Sequence, residues 1–175
     1  MKMVQLSIEC GMSPISPLAF AQYGSLLASL GDIRSGCQYA RIAKALLVKM
    51  GSRQVTGEVI AYVAQLLAYV EPVQSAIEFH IEGEKAAFSS GTTSYAMLNA
   101  LLYGTCSFWT GKKLCAVKSQ LDQTIALIKQ YKHHTLLVRV CIIRSLVFIY
   151  MNKRDLMLTL ILRFNYFHCM GRCLV

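Results

Sequence analysis

The chain has 175 residues, of which 55% are hydrophobic and 15% are charged, and its mean hydropathy is +0.44. This composition suffices for one buried core and excludes an intrinsically disordered chain, while 11 Gly and 3 Pro exclude a collagen-like sequence. The net charge of +9 would suit an anionic partner, but residues 135–175 carry 6 basic side chains against Asp155 alone. Because the excess gathers in the last quarter of the chain, we expect no nucleic-acid partner.

Residues 1–16 are predicted to be an N-terminal lead segment. Their apolar stretch is broken by Glu9, Ser13 and Pro14, so it lacks the unbroken hydrophobic run of a signal peptide. The 7 cysteines of the chain lie in apolar stretches without the even spacing of a disulfide framework. A reducing, cytoplasmic location is therefore expected.

One pattern recurs along the chain at a fixed distance. The motif Y-G-[ST]-x5-G occupies residues 23–31 and again residues 103–111, an offset of 80 residues. Half of that offset leads from Gly31 to Glu71, which precedes Pro72 and marks another expected turn. A period near 40 residues is typical of stacked helix pairs. The positions taken to define the repeat are Tyr23, Gly24, Gly31, Gly36, Pro72, Ala76, Tyr103, Gly104, Gly111 and Ala116.

Three helix pairs are predicted in chain order, over about residues 17–52, 56–91 and 94–132. Pro17 opens the first pair and Gly51 closes it, which follows the preference for proline at helix starts and glycine at helix ends. The turns inside the pairs are placed at Gly31-Asp32, Glu71-Pro72 and Thr110-Gly111. Between these turns, apolar residues recur at spacings of three and four, which favours helices over strands. The predicted fold class is all-α, an α-solenoid of about three antiparallel helix pairs within residues 17–134.

Small residues at equivalent positions indicate close helix packing. Gly24 and Gly104 fall in first helices, whereas Gly36, Ala76 and Ala116 fall in second helices. A glycine inside a helix costs about 0.5–1 kcal/mol relative to alanine, so its recurrence favours close contact between backbones. The alternative for Gly24 is that it ends a short helix.

Several segments together resemble the tetratricopeptide-like helical-repeat region of multi-domain signalling proteins of cyanobacterial and algal type. They are GDIRSG at residues 31–36, AKALL at 43–47, SYAMLNA at 94–100 and SFWTGKKL at 107–114. Proteins of that type join a serine/threonine kinase-like domain, an AAA-type predicted ATPase and the repeat array, often with histidine-kinase modules. The resemblance covers roughly residues 18–135, and it implies a cytoplasmic signalling scaffold that is a fragment of a larger protein.

The kinase and ATPase chemistry of those proteins does not carry over to this chain. A phosphate loop would need glycine where Cys106 stands and Ser or Thr where Lys113 stands, although Gly111-Lys112 matches its centre. The H-R-D and D-F-G signatures of kinases do not occur either. We therefore expect no enzyme activity and no cofactor.

Two groups of residues could in principle bind a metal. His168, Cys169 and Cys173 supply three ligands for zinc, but no fourth ligand lies nearby in the sequence. Glu78, Glu82 and Glu84 surround His80, yet their spacing suits a solvated helix face. No metal site is predicted. Two cysteines that flank a turn, Cys106 and Cys115, are interpreted as small buried hydrophobic residues instead of a redox pair.

Two further groups are assigned structural roles. Lys112, Lys113 and Lys118 lie near Tyr103 and Trp109, but three lysines make a thin nucleic-acid footprint, and Trp109 is expected to pack in the core. The pair His133-His134 is expected to be solvated at a helix end, where a cation interacts favourably with the helix dipole.

Residues 135–175 are predicted to hold a truncated fourth helix, from about Leu136 to Tyr150, and an irregular hydrophobic and basic tail. A hypothesis for the tail is a gene fragment, a retained intron or a frameshift. The stretch 136–151 contains Arg139 and Arg144 and falls short of the roughly 20 apolar residues that span a bilayer, so no stable span is expected. An array without a polar cap would expose an apolar C-terminal face, and self-association through that face is expected.

The predicted function is a non-catalytic scaffold that binds a protein partner or neighbouring domains of a longer signalling protein. Two alternatives remain open. One is a regulatory remnant of an AAA-type ATPase or protein kinase, and the other is a membrane-associated protein held by residues 136–162.

Overall fold

The computed structural model describes residues 2–152, which form eight α-helices and contain no strand. The helices are α1 (Lys2–Glu9), α2 (Ser16–Ser29), α3 (Ile33–Met50), α4 (Thr56–Leu67), α5 (Val73–Ser89), α6 (Thr93–Trp109), α7 (Leu114–Gln130) and α8 (His134–Met151). A single 3-10 turn over Arg53–Val55 precedes α4. The all-α prediction is confirmed for the described residues.

Four of the turns between helices share one backbone motif. After α2, Gly31 adopts a positive φ of 98° and its N–H donates to Ala28 O at 3.0 Å, while the N–H of Asp32 reaches back to Leu27 O at 3.0 Å. This pair of bonds is the Schellman motif, which satisfies the last carbonyls of a helix. The same bonds follow α5, α6 and α7, with the left-handed position held by Gly91, Gly111 and Lys132.

Lys132 is the only residue other than glycine with a positive φ among residues 2–152, at 55°. Glycine accepts this conformation freely because it lacks a Cβ atom, whereas other L-residues are strained there. With Gly51, whose left-handed backbone ends α3, the turns fall at residues 31, 51, 91, 111 and 132. The chain therefore turns about every 20 residues, and the turn from α4 to α5 near residue 71 keeps this spacing without a left-handed residue.

The turn from α4 to α5 is built differently. The N–H of Glu71 donates to Leu67 O at 2.8 Å, and Pro72 then precedes α5 with φ of −56°. Proline suits this place because it has no N–H that would be left unpaired at a helix start. The turn before α5 therefore contains no left-handed residue.

The helices pack in two rows. Helices α2, α4, α6 and α8 each contact the next member of that row, while α3, α5 and α7 each contact the helices directly before and after them in the chain. The inner members α4 and α6 are rich in apolar residues, and most of their residues are buried. Two apolar clusters result, one around α2 to α4 and one around α6 to α8.

The small repeat residues do not all make the same contact. A Cβ added at Gly24 would lie 2.8 Å from Gly36 O, and one added at Gly36 would lie 2.7 Å from Gly24 O, so these two backbones touch. At Gly104 the nearest atom would be a side-chain methyl of Leu121 at 2.6 Å, not backbone.

In the second helices, Ala76 is buried against its neighbours, but Ala116 is exposed. The expectation that Ala116 serves close packing is wrong, because Val117 takes the buried place at that level. Four residues separate α6 from α7 whereas three separate α2 from α3, and the added residue shifts the buried position by one.

Both ends of the described chain differ from the sequence-based prediction. Residues 2–9 form α1, whose Val4 is buried against α2, where only a lead segment was expected. The helix predicted to begin a fourth pair is α8. It is not truncated, since it has 18 residues, as many as α3.

Candidate functional site

The most distinctive polar group of the described chain is a histidine at the contact of three helices. His80 of α5 is fully buried, and its Nδ1 lies 3.0 Å from Oδ1 of Asn99 on α6. The Asn99 amide nitrogen donates to Gly57 O of α4 at 2.9 Å and to Tyr95 O at 2.9 Å. One asparagine of α6 is thus joined to α4 and to α5 by one hydrogen bond each, while its third bond stays within α6.

These bonds fix the protonation of the imidazole. Because the Asn99 NH₂ group donates to two carbonyls, its Oδ1 must face His80 and accept a hydrogen bond from Nδ1–H. Burial lowers the pKa of His80 to about 4, although the hydrogen bond with Asn99 opposes the shift. The ring is therefore neutral at pH 7, and its Nε2 is buried without a hydrogen-bond partner among residues 2–152.

Two glycines allow close packing around this histidine. A Cβ at Gly57 would lie 2.4 Å from Ala87 Cβ and 2.8 Å from its Cα, so α4 and α5 touch there. A Cβ at Gly83 would lie 2.7 Å from Asn99 Oδ1. Since no solvent reaches the ring, the arrangement suits a structural connection and not proton transfer to a substrate.

The candidate metal ligands around His80 do not converge. Glu78 and Glu82 are exposed, and Glu84 is half-buried with a pKa that burial raises. Within residues 2–152 no three His, Cys, Asp or Glu side chains come close enough to hold a metal ion. The other candidate group, His168, Cys169 and Cys173, lies outside the described residues.

The cysteines of the described chain are all free thiols. Burial raises the pKa of Cys106 to about 11, which suppresses its thiolate, while Cys115 is exposed. Cys115 therefore does not match the expectation of a buried residue. Cys37 is buried, and its thiol donates to Leu66 O at 3.2 Å.

An apolar groove opens between α3 and α5, with α4 as its floor. Its volume is about 130 Å³. The floor consists of Val59, Ile60, Val63 and Ala64, and the walls are Lys44, Leu47 and Val48 of α3 and Phe79 and Glu82 of α5. An apolar cavity of about 150 Å³ accommodates a benzene ring, so this groove has room for one large apolar side chain.

Charged groups lie only at the rim of the groove. The ammonium group of Lys44 sits 4.1 Å above the ring centroid of Phe79, a cation–π contact between its two walls. Glu82 stands one helical turn further along α5. Val48 is 79% exposed at the rim.

The lysines considered for nucleic acid are partly engaged within the protein. Lys112 lies 5.1 Å from the centroid of the Tyr103 ring, and Lys118 pairs with Asp122 at 2.7 Å. The same carboxylate accepts a bond from Arg144 of α8 at 2.5 Å. Hydrogen bonds from Lys118 and Arg144 lower the pKa of Asp122. Trp109 packs against the α6–α8 cluster, as expected.

Two features of α8 matter for its surroundings. By length and composition α8 could cross a membrane, with a mean hydropathy of 1.6 over His134–Met151 and 28% of that stretch buried.

His133 precedes α8 and His134 is its first residue, so both stand at a helix N-terminus. His134 is exposed, as expected, but only the N-terminal end of α8 is beside it, and that end disfavours a cation; His133 also closes the C-terminal turn of α7, where its N–H donates to Ile128 O.

Comparisons with protein-family models, with curated proteins and with solved structures find no match for this chain. Functional inference therefore depends on the geometry of the chain itself.

Sequence reasoning missed the two features that the structure brings forward. The burial of His80 had a detectable signal, because Ala76, His80, Gly83 and Ala87 recur at helical spacing and form one small-residue face. The groove had none, since it depends on the distance between α3 and α5.

Proposed function

We propose that this chain is a non-catalytic protein-binding module, built from tetratricopeptide-like helical repeats, that acts as a scaffold in signalling. The groove between α3 and α5 is the observation that carries the proposal. It is apolar, open to solvent and sized for one large side chain of a partner. The partner is a separate protein or a neighbouring domain of a longer chain.

The helix arrangement supports an interaction role. Two rows of helices with turns about every 20 residues form a rigid support, and repeat arrays of this kind use extended surfaces for docking. The buried bonds of His80 and Asn99 hold α4, α5 and α6 together, and α4 and α5 carry most of the groove. A preformed groove costs little conformational entropy to fill.

The groove favours a particular partner chemistry. An aromatic or branched aliphatic side chain would fill the depression, and removal of that side chain from water would drive binding. The rim offers Lys44 to a carboxylate and Glu82 to a cation of the partner. We expect an amphipathic segment whose single anchor residue enters the groove.

Site-specific photo-crosslinking tests this function. A photoreactive amino acid replaces Val48 at the groove rim, and the full-length protein is irradiated in the cells that produce it. The matched control carries the same group at Ile42, which lies on α3, is exposed and does not line the groove.

A discrete protein trapped from position 48 and absent from position 42 supports the proposed function. The same set of proteins at both positions, or none at position 48, would contradict it. Helical circular dichroism of both variants ensures that loss of crosslinking does not reflect unfolding.

A further inference from the structure

Helix α8 is apolar on its solvent side as well as on its core side. Val138 is 62% exposed, Ile142 is 41% exposed and Phe148 is 53% exposed, whereas Val140 and Ile143 on the opposite side are fully buried. The three exposed residues, called the α8 stripe below, share one side of the helix. The helices packed against α8 are α6 and α7, so no described helix covers the α8 stripe. Exposed apolar patches of this kind mark contact surfaces.

The basic charge of the described chain is concentrated in the helix pair that carries the α8 stripe. Residues 2–110 hold 7 basic and 7 acidic side chains, whereas residues 111–152 hold 7 basic side chains and one acidic side chain, Asp122. That carboxylate is already engaged by Lys118 and Arg144. The unit formed by α7 and α8 therefore carries the whole charge excess of residues 2–152.

Exposed lysines lie near both ends of the α8 stripe. They are found in or next to the turns before and after α7: Lys112, Lys113, Lys129 and Lys132. The second turn leads directly into α8. The first turn follows α6, and the rings of Phe108 on α6 and Tyr150 on α8, with centroids 5.4 Å apart, bring it close to the last turn of α8. Positive charge is thus present where α8 begins and where it ends.

We propose that the α8 stripe docks this chain on the surface of an anionic phospholipid bilayer, with α8 lying in the interface and not crossing it. The apolar side chains enter the boundary between headgroups and acyl chains, where removal of their surface from water favours binding. The lysines at both ends of α8 meet the anionic headgroups. An apolar stripe together with a basic surrounding matches both layers of such a surface.

Charge disfavours the other occupants of the α8 stripe. Two copies that met stripe to stripe would bring two basic units together, and their like charges would repel. A nucleic acid would attract the lysines through its phosphates but offers no apolar layer to Val138 and Phe148. A membrane-spanning α8 would take Arg139 and Arg144 out of water and would separate Arg144 from Asp122 of α7.

Sedimentation with lipid vesicles tests the docking in the full-length protein. The wild type should bind vesicles of phosphatidylcholine with about 30% phosphatidylserine, and should bind pure phosphatidylcholine vesicles about tenfold more weakly. Val138→Ser should weaken binding to the anionic vesicles about tenfold, because one apolar side chain no longer enters the interface. The matched control is Val48→Ser, which changes a valine that is 79% exposed on α3 and should leave vesicle binding unchanged.

A second pair of variants tests the electrostatic part. The double variant Lys129→Gln and Lys132→Gln should weaken binding to the anionic vesicles about tenfold. Its control, Lys49→Gln with Lys85→Gln, removes the same charge from exposed positions on α3 and α5. The control should stay within about twofold of the wild type, because these charges lie in the part of the chain without excess charge. Helical circular dichroism checks that each variant is folded.

Weaker vesicle binding for Val138→Ser and for the Lys129 and Lys132 variant, with both controls unaffected, supports the proposal. Equal binding of the wild type to both kinds of vesicle would indicate an inserted helix and would overturn it. Absence of vesicle binding would also overturn it, and a dimer in analytical ultracentrifugation or binding of a DNA duplex would then identify the occupant. None of these results involves the α3–α5 groove, so the proposed function is decided by its own test.

Discussion

Two helix contacts in this protein are held by different kinds of interaction. The middle interface, formed by α4, α5 and α6, contains the buried His80 and Asn99 and the backbone contact of Gly57 with Ala87. The C-terminal interface, formed by α6, α7 and α8, is an apolar cluster flanked at its surface by Lys118, Asp122 and Arg144.

The difference shows how one fold can combine an interface that fixes the placement of its helices with an interface that tolerates changes of side chain. Buried hydrogen bonds are costly to leave unmade, so the middle interface accepts one relative placement of its helices. Apolar side chains pack in many combinations, and ion pairs at the surface contribute little. We therefore expect the middle interface to be sensitive to pH and to loss of its hydrogen-bonding side chains, and the C-terminal interface to respond only slightly, and in a salt-dependent way, to loss of its ion pairs.

The largest effect is expected for Asn99→Ala. The variant should lose about 3 kcal/mol of unfolding free energy, because the Nδ1–H of buried His80 loses its acceptor and a cavity remains. Urea unfolding followed by circular dichroism measures the loss. Asn152→Ala is the control, since that exposed amide donates only to Phe148 O in the last turn of α8, and it should stay within about 0.5 kcal/mol.

Acid should weaken the middle interface through His80. Its pKa is about 4 in the folded protein, against 6.5 for a histidine in water, so the unfolded chain binds the proton more readily. Stability is full above pH 6.5 and falls as the pH decreases toward 4, by up to the order of 3 kcal/mol.

The contribution of His80 to the pH dependence of stability must be distinguished from that of carboxyl groups that titrate in the same pH range. Burial raises the pKa of Glu58 and of Glu84, and their protonation acts in the opposite direction. We therefore compare the pH dependence of wild-type unfolding with that of His80→Gln. The wild type should lose more stability between pH 6.5 and 4, and identical slopes would contradict the assignment.

A gain in stability is expected from Lys132→Gly, in the turn before α8. Glycine at position 132 relieves the strain of the left-handed backbone but gains freedom in the unfolded chain. The net effect should raise the unfolding free energy by about 0.5–1 kcal/mol. Lys129→Gly removes the same charge from the last turn of α7, where it should cost up to about 1 kcal/mol. A loss of stability in both variants would argue against strain at Lys132.

The smallest effect is expected for Asp122→Asn at the C-terminal interface. It removes the acceptor charge of Lys118 and Arg144, both of which are partly exposed to solvent, so the loss should be slight. In about 1 M NaCl, where the screening length is about 3 Å, the difference from the wild type should disappear. The Asn99→Ala difference should survive the same salt, and a salt-dependent Asn99 effect would erase the contrast between the interfaces.

The turns were the most predictable part of the fold. Gly31-Asp32 and Thr110-Gly111 lie between helices, because a glycine with positive φ is a local requirement that the sequence states directly. The turn at Lys132 has no glycine at its positive-φ position, so the sequence did not indicate its backbone conformation. Ala116 was misplaced because one extra residue before α7 rotates the buried face, and a strict period cannot register that change.

The candidate site was less predictable than the fold. The small-residue face around His80 was visible as spacing, but its hydrogen bonds to Asn99 join residues of different helices. The groove depends on how far α3 stands from α5, and no local pattern encodes that distance. Its rim residue Val48 looked in the sequence like any helical valine.

The central claim is that the α3–α5 groove binds a side chain of a protein partner. Ala64→Leu places a larger apolar side chain at the groove floor, where it should fill the depression. Because Ala64 is buried, the variant should lower the thermal midpoint but keep the helical circular dichroism. The measurement is the dissociation constant for the partner trapped at position 48. An increase of about tenfold, which corresponds to about 1.4 kcal/mol, is the predicted result. An unchanged dissociation constant with a folded Ala64→Leu protein would contradict the claim.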